Sequence, residues 1–169
     1  MRYLPNGKQM SEADAHTIHK IGIPSLVLME RAALQIVETM HKKNISTEKS
    51  LIVCGSGNNG GDGFAVARLL TEQGKHADVL FAGKEASLSE ECRCQKQIVE
   101  NMGISVFTEF PDEEYTVIID AVFGVGLCRE ISGHYKDVID WMNLQDTEKV
   151  AVVRGETEDK YGWLTPVNK

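Results

Sequence analysis

The sequence predicts an α/β fold, a mainly parallel sheet with helices on both faces and two further helices added at the N-terminal side. Three observations carry this expectation. Short apolar runs without alternation, such as Ser50-Leu-Ile-Val-Cys54, read as strands buried on both faces. The segments between them space their apolar residues by three and four, the helical period. The elements then follow one another as β-α-β-α-β-β-α-β, the order that parallel strands joined by crossovers produce. A length of 169 residues corresponds to one domain.

Ser11 to Gly22 reads as a first helix, with Ser11 as its cap, Asp14 in the first turn and Gly22 as its stop. Pro24 opens a second helix that runs to about Lys43, since proline is tolerated in a first turn. Its residues Leu26, Met29, Ala33, Ile36 and Met40 form one apolar stripe, too short for a coiled-coil seam and suited to packing on a core. After the strand Ser50–Cys54 and a glycine-rich stretch comes a helix from Phe64 to Gln73, closed by Gly74. Ala77–Ala82 is a strand, Ser87–Met102 a helix with Gly103 as its stop, and Ile104–Thr108 a third strand. Tyr115–Ile119 is a fourth strand, ending in Asp120. A helix from about His134 to Asn143 and a strand from Lys149 to Val153 follow. Arg154–Lys169 shows neither period and is expected to be a loosely held extension with no strand.

Composition removes several classes of function. With 18 Lys plus Arg against 25 Asp plus Glu, the net charge of −7 disfavours binding to the phosphate backbone of DNA through bulk charge. No apolar run approaches the roughly 20 residues of a membrane span, and the N-terminus lacks a signal-like apolar segment, so a cytoplasmic protein is expected. Cys54, Cys92, Cys94 and Cys128 are too few and too scattered for a disulfide framework, and Cys92-Arg-Cys94 lacks the two-residue spacing of zinc and redox motifs.

Glycine is the compositional lead. Five of the 15 lie between Gly55 and Gly63, in Gly55-Ser-Gly-Asn-Asn-Gly-Gly-Asp-Gly63, after a buried strand and before a helix. In open parallel sheets ligands bind at the carboxyl ends of strands, where a helix N-terminus offers free N–H groups to an anion. There is no lysine for a Walker loop. Gly55, Gly57 and Gly60 match the dinucleotide pattern, but its acidic partner would fall on Asp78, inside a strand rather than at its end. Asn58, Asn59 and Asp62 exceed what a phosphate cradle needs and suit a hard cation or a substrate's hydroxyls. Asp120, at the end of a buried strand, is costly unless paired or ion-bound, and its strand end lies on the same sheet edge as the glycine loop.

The blocks Gly22-Ile-Pro-Ser-Leu-Val-Leu-Met-Glu30-Arg-Ala-Ala33, Gly55–Gly63 and Asp120-Ala-Val-Phe-Gly-Val-Gly-Leu127 resemble, in order and spacing, the YjeF N-terminal domain, the NAD(P)H-hydrate epimerase family. The resemblance implies a Rossmann-like three-layer α/β/α sandwich, commonly a dimer. It implies interconversion of the R and S forms of hydrated NADH or NADPH, so that a dehydratase, separate or fused, can restore the cofactor. It implies one potassium ion, held by Asn59 and Asp120. Asn58, Asn59, Gly60, Gly61 and Asp62 would contact the hydrated dinucleotide; Gly124, Val125, Gly126, Leu127, Cys128, Arg129 and Glu130 would form a second binding loop, with Arg129 able to pair with phosphate.

Val125, Cys128 and Glu130 depart from the family's loop. The Asp-Ile-Pro-Ser-Gly-like loop that follows the last strand in the family is replaced by Arg154-Gly-Glu-Thr-Glu-Asp159. Residues 1–153 are therefore expected to form an epimerase domain incomplete at its C-terminal end, with 154–169 an atypical tail that leaves the sheet edge unpaired. Glu156 or Asp159 is a weak stand-in for the family's acid–base aspartate, and Asp62 is the freer candidate. The alternative is a non-catalytic nucleotide- or RNA-binding module of the same fold, which would favour a basic surface that this chain lacks.

Overall fold

The computed structural model describes residues 7–124, 131–152 and 164–165. The elements are α1 (Gly7–His16), continued by one π turn (Thr17–Ile21), α2 (Ser25–Lys42), β1 (Lys49–Cys54), α3 (Asn58–Glu72), β2 (His76–Phe81), a 3-10 turn (Glu85–Ser87), α4 (Glu90–Asn101), β3 (Val106–Phe107), β4 (Val117–Ala121), α5 (His134–Leu144), β5 (Glu148–Val152) and β6 (Leu164–Thr165). The strands form one sheet in the order β3-β2-β1-β4-β5-β6. All pairs are parallel except β5 with β6, which is antiparallel.

The lack of alternation in β1 has the predicted cause. Ile52 and Cys54 face one layer of the core and Leu51 and Val53 the other, and all four are fully enclosed. The first layer is built from α2, α3 and α4. Met29, Ala33, Ile36, Val37 and Met40 of α2 are buried, the first against α3 and the rest among the sheet's Ile52, Val117 and Val150 neighbours. The second layer is α5, whose Val138 and Met142 pack on Leu51, Val53, Leu80 and Ile118. Among its described residues α1 buries none, and Gly22 (φ +86°) ends it with its N–H on the Thr17 carbonyl at 3.0 Å.

Three expectations are corrected. The first helix is already formed at Gly7, so Ser11 lies within it rather than capping it. The helix expected from Phe64 begins six residues earlier, at Asn58, so most of the glycine-rich stretch is helical rather than loop. The tail carries a strand: Leu164 and Thr165 pair with Val152 and Ala151, so the outer edge of β5 is covered by the chain itself at those two positions.

Candidate functional site

The strand order reverses between β1 and β4, whose carboxyl ends stand side by side with Val53 beside Asp120 and Cys54 beside Ala121. In a doubly wound sheet this reversal opens a crevice above the strand ends. The first helix after β1 therefore has its N-terminus at one wall, and the segment after β4 forms the other.

Glycine is what lets these walls close on each other. A Cβ on Gly55 would stand 2.2 Å from the Val122 carbonyl oxygen, and one on Gly60 would stand 1.9 Å from the Gly55 oxygen. A Cβ on Gly61 would stand 2.7 Å from the Met29 methyl, and one on Gly63 would stand 2.6 Å from Ala121 Cβ and 2.7 Å from Cys54 Sγ. The Gly55 N–H donates to the Ala121 carbonyl at 3.1 Å, stitching β1 to β4 beyond their last strand pair. Gly57, the N-cap of α3, has open space around it and supplies no capping side chain. The helix's first N–H groups are thus left facing the crevice, where an anion is favoured.

The predicted residues fall at distinct depths. Asn58 is exposed, and its Oδ1 accepts from the Ser89 hydroxyl at 2.6 Å. Asn59 packs on Gly124, its Cγ and Oδ1 each 3.6 Å from the position of a Cβ there. Both polar atoms of its amide are buried with no hydrogen-bond partner among the described residues. Asp62 has no accessible surface. Asp120 is partly buried and accepts the Val122 N–H through Oδ1 at 3.0 Å. Burial holds its carboxyl above the ordinary carboxylate value, and the Val122 N–H pulls the other way. Burial likewise drives the Cys54 thiol up strongly, helped by the nearby Cys92, Asp120 and Asp62. The structure thus brings Asn58–Asp62, Asp120 and Gly124 to one sheet edge. Val125, Gly126, Leu127, Cys128, Arg129 and Glu130 lie outside the described residues, as do Glu156 and Asp159.

Asp78, on which the dinucleotide pattern would place its ribose partner, sits three residues into β2 and away from the crevice. It is 3% exposed and its Oδ2 accepts from the Tyr115 hydroxyl at 3.0 Å and meets His76 Nε2 at the same distance. Its role is to bind those two side chains, not a ligand at the strand ends. Ser89 is the site residue that sequence reasoning passed over. It precedes Glu90-Glu91, the cap-plus-acid pattern that marks a helix start.

Among the described residues no three His, Cys, Asp or Glu side chains gather as a metal site. A buried amide oxygen with no hydrogen-bond partner among the described residues, at the same sheet edge as the Asp120 carboxylate, fits a hard monovalent cation, because low charge density is matched by neutral oxygens and one negative charge. No described helix is long and apolar enough to cross a membrane.

Known proteins resemble this chain in sequence and in fold. A protein of Oenococcus oeni named NAD(P)H-hydrate epimerase is 41% identical over 149 residues, covering 87% of this chain and 71% of the relative. One of the same name from Lentilactobacillus buchneri is 40% identical over 162 residues, covering 92% and 75%. One from Weissella koreensis is 39% identical over 145 residues, covering 85% and 66%, so the chain spans about two thirds to three quarters of these relatives' lengths. The crystal structure of yeast ynu0 (YNL200c) superposes with a TM-score of 0.74 at 19% identity, covering 89% of this chain and 69% of that one, which bears on the fold alone. The model of the YjeF-related protein N-terminus family matches residues 25–153. A match that runs from the first turn of α2 through the end of β5 takes in both walls of the crevice, and this chain therefore belongs to the YjeF-related protein N-terminus family.

Proposed function

We propose that this chain is an isomerase that interconverts the R and S epimers of hydrated NADH and NADPH. The observation that carries the reading is the Asn59 amide, buried with neither polar atom partnered, at the β1–β4 crevice of a chain about 40% identical to proteins named for that reaction. A fold does not leave an amide so placed without cost, since each buried, unpaired polar atom is worth roughly 1–3 kcal/mol. A bound group that supplies its partners accounts for it.

In this reading the unsatisfied N–H groups of the first α3 turn hold the dinucleotide's phosphates, and Asn58 offers a side-chain contact beside them. Gly60 and Gly61 let the chain come close enough for those contacts, and Gly124 lies against Asn59. Asn59 and Asp120 hold a potassium ion, which when bound would fix the site's shape and balance the Asp120 charge. The Val122 N–H occupies one Asp120 oxygen and so orients the carboxylate. Epimerisation at the ring's hydroxyl-bearing carbon needs a group that gives and takes a proton there. Asp62, the sequence candidate, is sealed within α3 in this structure. We assign it the task of setting the field and packing of that first turn.

The same proposal includes residues 1–153 as the working domain, a homodimer, a cytoplasmic setting and a dehydratase as consumer of one epimer. The test is to incubate the chain and potassium with one epimer of hydrated NADH and follow the R/S ratio by chromatography. Equilibration above the spontaneous rate, lost in Asp120→Ala, is expected. A folded chain that leaves the ratio on its spontaneous course refutes the proposal.

A further inference from the structure

The stretch that binds substrate in the proposed function is itself held by a residue from another element. Ser89 is the N-cap of α4, and its Oγ accepts the Cys92 N–H at 3.2 Å. That bond occupies a lone pair and leaves the single hydroxyl proton free, and the proton goes to Asn58 Oδ1 at 2.6 Å. The Ser89 main-chain N–H donates to the Ser56 carbonyl at 2.9 Å. One residue therefore grips the chain on both sides of the exposed Gly57, at which a side chain would meet nothing within 4 Å.

The direction of the side-chain bond matters. An asparagine amide has an acceptor end and a donor end, and nothing intrinsic decides which way it turns. If Asn58 were reversed, its Nδ2 would donate to the second lone pair of the Ser89 hydroxyl, whose proton would lose Oδ1 and have only solvent to turn to. We propose that Ser89 is a positioning residue that locks Asn58 with Oδ1 toward α4, leaving Nδ2 as the end that donates to a ligand, so that the ligand group met at Asn58 is a hydrogen-bond acceptor, a phosphate oxygen of the dinucleotide. The ligand's identity rests on the proposed function; the locking of the amide does not.

The test uses Ser89→Ala, Ser89→Thr and Ser25→Ala in the full chain. Ser25 serves as the structural control, because its hydroxyl anchors the same first turn of α4 through Glu91 Oε1 at 2.7 Å without touching Asn58. The Asn58 side-chain amide signals are identified in a proton–nitrogen NMR spectrum by their loss in Asn58→Asp. In wild type and Ser89→Thr these signals move on titration with inorganic pyrophosphate. In Ser89→Ala they start from a different position and do not follow the titration. In the epimer assay Ser89→Ala raises KM about three- to tenfold, the worth of one hydrogen bond between neutral groups, with kcat within about twofold. Ser89→Thr restores KM, and Ser25→Ala changes only the melting temperature. The inference is overturned if Ser89→Ala leaves the amide signals unmoved, if Ser25→Ala reproduces its effects, or if pyrophosphate leaves the wild-type signals in place. A wild-type chain without epimerase activity defeats the proposed function, while the amide signals still decide the role of Ser89.

Discussion

Replacing Gly60 with alanine tests whether close backbone approach, rather than loop flexibility, explains the glycines at the crevice. The new methyl would lie 1.9 Å from the Gly55 carbonyl oxygen and 2.6 Å from its carbon, where real contacts do not fall below 3.0 Å. The obstacle is backbone, so no rotamer change relieves it, and α3 must move off the end of β1 by about an ångström. Alanine gains about 1 kcal/mol over glycine within a helix. Against this stand about 3 kcal/mol for overpacking and about 1 kcal/mol for straining the Gly55–Ala121 hydrogen bond. The net is roughly 3 kcal/mol of destabilisation, or a melting temperature lower by about 6–12 °C in a chain of this size. The same displacement moves Asn58 and Asn59 relative to Asp120, and a shift of that size is worth about a hundredfold in rate. Circular dichroism melting and the epimer assay read the two effects. Gly57→Ala is the internal comparison, since nothing lies within 4 Å of its Cβ and its φ of −87° suits any residue. It should lower the melting temperature by no more than about 3 °C, the effect of a slightly poorer cap. Equal melting of the two variants, or Gly60→Ala melting with the wild type, refutes the reasoning.

Asn59→Leu removes two buried polar atoms that have no hydrogen-bond partner among the described residues. In potassium-free buffer it should therefore melt at or above wild type. Added potassium should raise the wild-type melting temperature, by up to about 2.7 kcal/mol of stability at a hundredfold excess over Kd. It should leave Asn59→Leu unchanged, and a potassium response that sodium or the variant reproduces removes Asn59 from the ion site. The Ser25 hydroxyl holds Glu91 below its ordinary value of 4.5. A depressed carboxylate stabilises the fold above its unfolded pKa and loses that contribution as pH falls through its folded one. The melting gap between wild type and Ser25→Ala should hold at pH 7 and shrink as pH drops below 4.5, and a gap independent of pH would show that the carboxylate takes no part.

The layout of strands was legible because β1, β4 and β5 are short apolar runs bounded by turn residues, and burial on both faces needs nothing subtler. The start of α3 was not. Asn-Asn-Gly-Gly-Asp-Gly is poor helix material by propensity, and what makes it helical is tertiary: Gly60 and Gly63 are the residues that fit against Gly55, Ala121 and Cys54. β6 escaped notice because two residues carry no period. At the site, Asn58, Asn59, Asp62 and Asp120 stood out by type and place. The enclosure of Asp62 and the grip of Ser89 on Asn58 depend on contacts between elements that spacing does not encode.

The seam between β1 and β4 also dictates when the crevice comes into being. Cys54 and Ala121 pair across it, yet α3, β2, α4 and β3 all lie between them in the chain. Neighbours so distant in sequence meet late, after the local β1-α3-β2 unit can already have formed. An emerging chain thus owns half a binding cleft long before it owns the other half. Ligand capture marks the passage of β4 into its slot, and a ligand present during synthesis or refolding would act on that closing step rather than on the earlier ones.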